Sequence, residues 1–252
     1  MKNRYLLLML IIVLFMLVMA LSGCTATSVV ISENTAQPPR AAEEETLVIT
    51  AVGDIMMHNT QISAGYRPLT DDYDFSPFFT YVTPLLKSSD LVIGNLETTF
   101  AGKKAVYSGF PFFNSPEVLA SNLKEAGFHI LTTANNHILD KGQAGLAGTL
   151  AYLDKTKLLH TGTARSREER DKILAVERKG VSLAVLAYTF GTNGMLPRNS
   201  LYSVNYLDLD KIRSDIKKAR EQKAQLIIVS LHFGPEYQPH PGAREEEVVQ
   251  SL

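Results

Sequence analysis

Thr46-Leu47-Val48-Ile49-Thr50-Ala51-Val52, followed by Gly53-Asp54, is the stretch on which the fold reading turns. Seven residues without a charge, rich in β-branched side chains, read as a buried strand that stops at Gly53-Asp54. Four more runs share this form: residues 90–93 before Gly94-Asn95, 128–133 before Ala134-Asn135-Asn136-His137, 181–188, and 226–231 before His232. Between them the spacing predicts helices over 77–88, 116–126, 143–158 and 208–223. The second opens on Pro116 and stops at Gly127, the usual order of start and stop residues. The fourth carries Leu209, Ile212, Ile216 and Ala219 on one face. Strands alternating with helices predict an α/β fold with a mostly parallel sheet. Ile173 to Val176, a turn at Arg178-Lys179-Gly180 and the run from Val181 predict a hairpin, so the sheet is mixed.

Polar residues gather where these strands stop. In open α/β sheets ligands bind outside the carboxyl ends of strands. Four of the five predicted strands end in Asp54, in Asn95 with Glu97, in Asn135, Asn136 and His137, and in His232. Carboxylate, amide and imidazole donors together suit a divalent metal. Each alone has a plainer reading: Gly53-Asp54 as a turn and helix cap, Asn135 to His137 as a cap, His232 as a core histidine. The joint pattern favours a cleft. The fourth run ends in Tyr188-Thr189, and Phe190-Gly191-Thr192-Asn193-Gly194 then makes a loop that holds an anion or only turns the chain.

The chain has 252 residues, 25 Lys and Arg against 26 Asp and Glu, and one cysteine. A net charge of −1 gives no pull towards a polyanion, so no nucleic-acid partner is expected. A hydrophobic content of 45% is too high for disorder throughout. Lys2 and Arg4, an uncharged run from Tyr5 to Leu21, then Ser22-Gly23-Cys24 describe a secretory signal. The residues before Cys24 also resemble the bacterial lipobox, in which the thiol receives a diacylglycerol. The alternative is an uncleaved anchor of 17 apolar residues, short for a span. Either places the folded part outside the cytoplasm. The expected organisation is a signal peptide over 1–23, a tether over 24–45 and one domain over 46–252. Cleavage would leave 23 basic and 26 acidic residues, so lipid on Cys24, not charge, would hold the protein at the outer face of the cell membrane.

Val52-Gly53-Asp54-Ile55-Met56, Asn95-Leu96-Glu97-Thr98, Ala134-Asn135-Asn136-His137 with Asp140, Ala187-Tyr188-Thr189, and His232-Phe233-Gly234 with Glu236-Tyr237 occur in the order found in one family. On these segments the chain, over about residues 47 to 252, resembles the capsule-synthesis family of CapA and PgsA, associated with poly-γ-glutamate production and export. That family is similar to the calcineurin-like metallophosphatases. The resemblance implies a four-layer α/β/β/α sandwich with mixed sheets and a strand-end site holding divalent metal, Mn²⁺ or Zn²⁺, around an attacking hydroxide. It implies Asp54, Glu97, Asn136 and His232 as ligands, His137 as catalytic acid, and Asn95, Asn135 and Asp140 in support. Met56 stands where a histidine is expected, which brings His58 into consideration. After His232 the chain reaches a helix near Arg244 to Val249 and stops at Leu252, where family members continue to a further strand and a Gly-His-Pro-His loop. The expectation is therefore a C-terminally truncated domain with an incomplete site. Two functions follow from the resemblance: a lipid-anchored, extracytoplasmic component of capsule or poly-γ-glutamate synthesis or export, beside a membrane-bound synthase and the anionic polymer, or a metal-dependent hydrolase of a phosphoester or polymer amide. Arg67, Lys103, Lys104 and Arg198 are read as a basic rim or solvated surface, and Phe75, Phe78, Phe79, Phe110, Phe112 and Phe113 as mostly core.

Overall fold

The computed structural model describes residues 46–197 and 200–252. The signal, Cys24, the tether and Arg198 lie outside the described residues. The chain runs β1 Ile49–Ile55, α1 Asn59–Gly65, β2 Tyr66–Arg67, β3 Asp72–Tyr73, α2 Thr83–Lys87, β4 Leu91–Leu96, α3 Val118–Ala126, β5 Ile130–Thr132 and α4 Gly142–Lys155. It continues through β6 Leu159–Thr161, α5 Arg167–Arg170, β7 Leu174–Arg178, β8 Val181–Thr189, α6 Leu209–Glu221, β9 Leu226–His232 and α7 Ala243–Gln250.

Two sheets form. One is wholly parallel in the order β1-β4-β5-β6, and the other is mixed in the order β7-β8-β9. The period of two along each strand assigns every side chain to a layer. Leu91, Ile93 and Ile130 of the first sheet meet Val176, Leu183 and Val185 of the second, so the sheets pack face to face. Val92, Leu96 and Leu131 point the other way, into a cluster with Leu119, Leu123, Leu146 and Leu150 of α3 and α4. On the far side Leu186 and Tyr188 pack against Ile212 of α6. Three apolar layers between four structural ones make the α/β/β/α sandwich.

Local chemistry explains the joints. The β7–β8 hairpin closes through Lys179 and Gly180, both with positive φ (48° and 73°), the pairing that a two-residue turn of the twist-matched type requires. At the end of α3 Gly127 takes φ 114°, where a side chain would be strained. Asp208 caps α6 by accepting from the backbone N–H groups of Asp210 and Lys211.

Several sequence expectations change. The first strand does not stop at Gly53-Asp54. It runs on to Ile55, with a register shift between Val52 and Asp54. The helix expected over 77–88 splits into a 3₁₀ turn, Ser76–Phe79, and the short α2, because Pro77 and Pro84 each begin a helical turn and cannot sit inside one. The elements α1, β2, β3, β6 and α5 were not expected. They are two to seven residues long, too short to show a period. Phe75 and Phe113 are fully buried, but Phe78, Phe110 and Phe112 are exposed. Arg67 and Lys103 are tied up in surface pairs with Asp74 and Asp71.

Candidate metal centre

The site forms where strands of both sheets end together. Asp54 of β1 lies in register with Asn95 of β4, a pairing set by the shift after Val52. Glu97 follows β4 directly, with its backbone N–H donating to the Ile55 carbonyl at 3.0 Å. From the second sheet His232 closes β9 in register with Thr189. One ligand atom from each of Asp54, Glu97 and His232 lies within 4.8 Å of the others. Their settings differ: the Asp54 side chain is 52% exposed, that of His232 20% and that of Glu97 6%.

The remaining expected residues, His58 apart, surround this trio. His232 Nε2 lies 2.8 Å from Asn136 Oδ1, and 3.8 Å from Glu97 Oε1. His137 Nε2 is 3.9 Å from the same Glu97 oxygen. Its Nδ1 sits 2.8 Å from Asp140 Oδ2, which also accepts the Phe113 backbone N–H at 2.6 Å. That contact turns Nε2 towards the cluster. Asn95 stands at the centre. Its Nδ2 donates to Asp54 Oδ1 at 2.8 Å and lies 3.3 Å from His232 Nδ1. Its Oδ1 accepts from Asn135 Nδ2 at 3.2 Å and from Thr132 Oγ1 at 3.3 Å, which fixes the amide's orientation. Asn135 also donates to the Leu96 carbonyl and accepts the His137 backbone N–H, so one buried amide links β4 to the His137 turn.

His58 is not brought into the cluster. It precedes α1, donates its backbone N–H to Gln61, and sets its ring edge-on to Phe113 at 5.1 Å. Phe113 in turn lies edge-on to His137 at 4.7 Å. Sequence reasoning missed Phe113, an apolar residue in a loop whose backbone holds Asp140. Asn193, read only as part of a loop that holds an anion or turns the chain, accepts through Oδ1 from Asn136 Nδ2 at 3.3 Å. The only signal for Asn193 was its place in the loop after β8.

Burial pushes the Glu97 carboxyl up to about 8, reinforced by the neighbouring Asp54 charge and, further off, by Glu236 and Asp140. Burial also lowers the His232 imidazole, opposed by Asp54 and assisted by His137. Among the described residues no Lys or Arg pairs with Asp54, Glu97 or Asp140; the only basic partners are His137 and His232. Two carboxylates and an imidazole therefore converge with no fixed cation between them. This cluster of Asp, Glu and His is able to coordinate a metal ion, and its oxygen and nitrogen donors fit a hard-to-borderline divalent one.

Residues 48–252 match the family model described as bacterial capsule synthesis protein PGA_cap. The chain belongs to the PGA_cap family. The capsule biosynthesis protein CapA of Bacillus anthracis is 29% identical over 224 residues, covering 85% of this chain and 53% of that protein. The PGA biosynthesis protein CapA of Bacillus subtilis (strain 168) is 26% identical over 213 residues, covering 83% of this chain and 54% of the relative. This PGA_cap chain thus spans about half the length of those relatives. Partial structural similarity extends to a 5′-nucleotidase precursor from Thermus thermophilus (TM-score 0.42, 14% identity, 75% of this chain and 37% of that one). It extends also to the calcineurin-like phosphoesterase YfkN of Bacillus subtilis (TM-score 0.43, 14% identity, 79% and 65%). Within the PGA_cap match the whole Asp54–Glu97–His232 trio and its amide supports are included.

Proposed function

We propose that this PGA_cap domain is a divalent-metal-dependent hydrolase acting on a phosphoester or a polymer amide, with Mn²⁺ or Zn²⁺ as the ion. One observation carries the reading: two carboxylates and an imidazole from three strand ends meet within 4.8 Å, with His137 aimed at them by Asp140. Asp54, Glu97 and His232 would hold the ion, and the Asn136 amide oxygen stands ready as a further donor beside His232. A bound ion supplies Lewis-acid polarisation and a water acidified to near neutral pH. Asn95 and Asn135 keep the carboxylates and the His137 turn in place, so the donors need no rearrangement. As the imidazolium, His137 would keep its Nδ1 hydrogen on Asp140 and give its Nε2 proton to a departing oxygen or nitrogen.

The test is calorimetry with Mn²⁺ and Zn²⁺ on the full chain, paired with hydrolysis of a generic phosphodiester and of poly-γ-glutamate. Metal binding lost in Asp54→Ala and His232→Ala, with hydrolysis lost in His137→Ala while metal still binds, is the expected pattern. Metal binding that survives both ligand substitutions would overturn the reading.

The relatives' names favour a second reading of the cellular role. We infer that the protein works at the outer face of the cell membrane, lipid-anchored through Cys24, in capsule or poly-γ-glutamate synthesis or export beside a membrane-bound synthase. Family membership supports it, together with the apolar segment that ends at Cys24. Fatty-acid labelling of wild type that disappears in Cys24→Ser is expected; equal labelling would remove the anchor.

A further inference from the structure

The run from Ser76 to Lys87 turns one apolar face inward and a second one outward. Its 3₁₀ turn passes into α2 without a break: Thr80 and Val82 both lie in the right-handed helical region, and the Val82 N–H donates to the Phe79 carbonyl at 3.1 Å. The inner face is pinned. Phe75, just before the run, donates its backbone N–H to Asn122 Oδ1 of α3 at 3.0 Å, Phe79 lies edge-on to Phe128, and Leu86 is buried. Phe78, Tyr81, Val82 and Leu85 stand on the outer face, at the i, i+3, i+4, i+7 spacing of a helical stripe. All four are exposed, Tyr81 to 94% and Leu85 to 64%. From Phe75 to Ser88 the sequence has no acidic residue and one basic one, Lys87. Helix α6 shows the ordinary alternative, since its exposed positions are Asp210, Arg213, Ser214, Lys217, Arg220 and Glu221. Single exposed apolar residues are common, but a contiguous group marks a surface that meets something apolar.

We propose that this outer face, residues 78–85, docks on the lipid surface of the membrane as a second contact beside the N-terminal attachment. The setting rests on the membrane attachment inferred above. Both readings of the N-terminal apolar run, lipid on Cys24 or an uncleaved span, hold the domain to a bilayer. Residues 25–45 extend over at most about 70 Å, more than the width of a domain of this size, so this face can be turned to the lipid. Held that close, it needs little affinity of its own, because the second contact is made within one attached molecule.

The chemistry suits the headgroup boundary. Phe78, Val82 and Leu85 offer apolar bulk, and the Tyr81 ring carries a hydroxyl that stays in water. Lys87, at the end of the face, has the charge that anionic headgroups attract, and no carboxylate in the run opposes it. Among the described residues no helix is long and apolar enough to cross a membrane, so the contact is one of shallow burial. The face shares no residue with the Asp54–Glu97–His232 cluster and does not depend on the metal reading. Docking would fix the orientation of the domain on the bilayer, and with it the direction in which that cluster opens.

The test uses the full chain reconstituted in vesicles of phosphatidylethanolamine and phosphatidylglycerol, with and without brominated acyl chains. The protein has no tryptophan, so Tyr81→Trp puts a single indole on the face. Blue-shifted emission that brominated lipid quenches is expected, and adding Leu85→Asp should abolish both the shift and the quenching. Leu201→Trp, equally open to solvent but beside α5, should emit as in water with or without vesicles. All three positions are exposed, so the variants leave the core intact. Flotation of the same samples and fatty-acid labelling report the attachment separately. A chain that floats with the vesicles while the Tyr81→Trp indole stays unquenched overturns the docking and leaves the anchor standing. Equal quenching in Leu201→Trp also overturns it. So does a blue shift that grows with protein concentration and is blind to brominated lipid, which would assign the face to a second copy of the chain.

Discussion

The candidate metal centre has two halves, and they are built differently. Asn95, Glu97, Asn135 and His137 are buried at or just beyond the ends of central strands, each hydrogen-bonded to buried neighbours. Asp54 and His232 arrive on β1 and β9, the outer strands of their sheets, and are respectively half-exposed and partly exposed. The contrast extends down the strands. All six residues of β4 are buried, whereas Ala51 to Asp54 of β1 are exposed and most of β9 is only half-buried. The inner half is pre-organised by packing, while the outer half owes its position mainly to strand pairing. Local opening should therefore start at the outer half.

The largest effect expected of a single substitution lies in the inner half's foundation. Leu91→Ala, at a fully buried position between the sheets, should cost about 3 kcal/mol in urea unfolding, since both transfer and cavity terms apply. A cost below that of an exposed position would break the comparison. Next comes pH. Glu97 titrates near 8 in the metal-free fold and near its ordinary value of 4.5 when unfolded. The unfolded chain thus loses this proton first, and stability is full below about 4.5 and falls as pH rises towards 8, by at most about 1.4 kcal/mol per unit. Unfolding midpoints between pH 5 and 8 should show this slope, flattened in Glu97→Gln; a slope unchanged in the variant would place the titration elsewhere.

Asn95→Ala should weaken metal binding by about 10- to 100-fold, the usual effect of removing a partner behind a ligand, here Asp54. Calorimetry that finds affinity unaltered would show that the inner half is not held by this amide. The smallest effect belongs to the edge. Leu226→Ala, 40% exposed at the start of β9, should cost under about 1 kcal/mol. A loss equal to that at Leu91 would mean that exposure does not rank the two sheets.

Much of the site was legible because its chemistry is local. Asp54, Asn95, Glu97, His137 and His232 each follow an apolar run, and the end of a run is visible in the sequence. His58 was drawn in by proximity in sequence to Asp54, but α1 begins immediately after it and carries its ring to Phe113. The unpartnered ring nitrogen of His160 and the Nε of Arg170 left no trace, because lacking a partner is a property of packing, not of residue type.

The apolar runs and the polar residues that end them determined the α/β class, the hairpin at Lys179-Gly180 and the identity of the candidate ligands, since each depends on neighbours within a few residues. Tertiary structure decided which strand ends meet. Asn95 and His232 are 137 positions apart, and only the order β1-β4-β5-β6, the packing of β8 and β9 against it and the register shift after Val52 bring them within 3.3 Å. Strand order and register are set by the packing of whole sheets, where many weak apolar contacts act together, and no single stretch of sequence contains that sum.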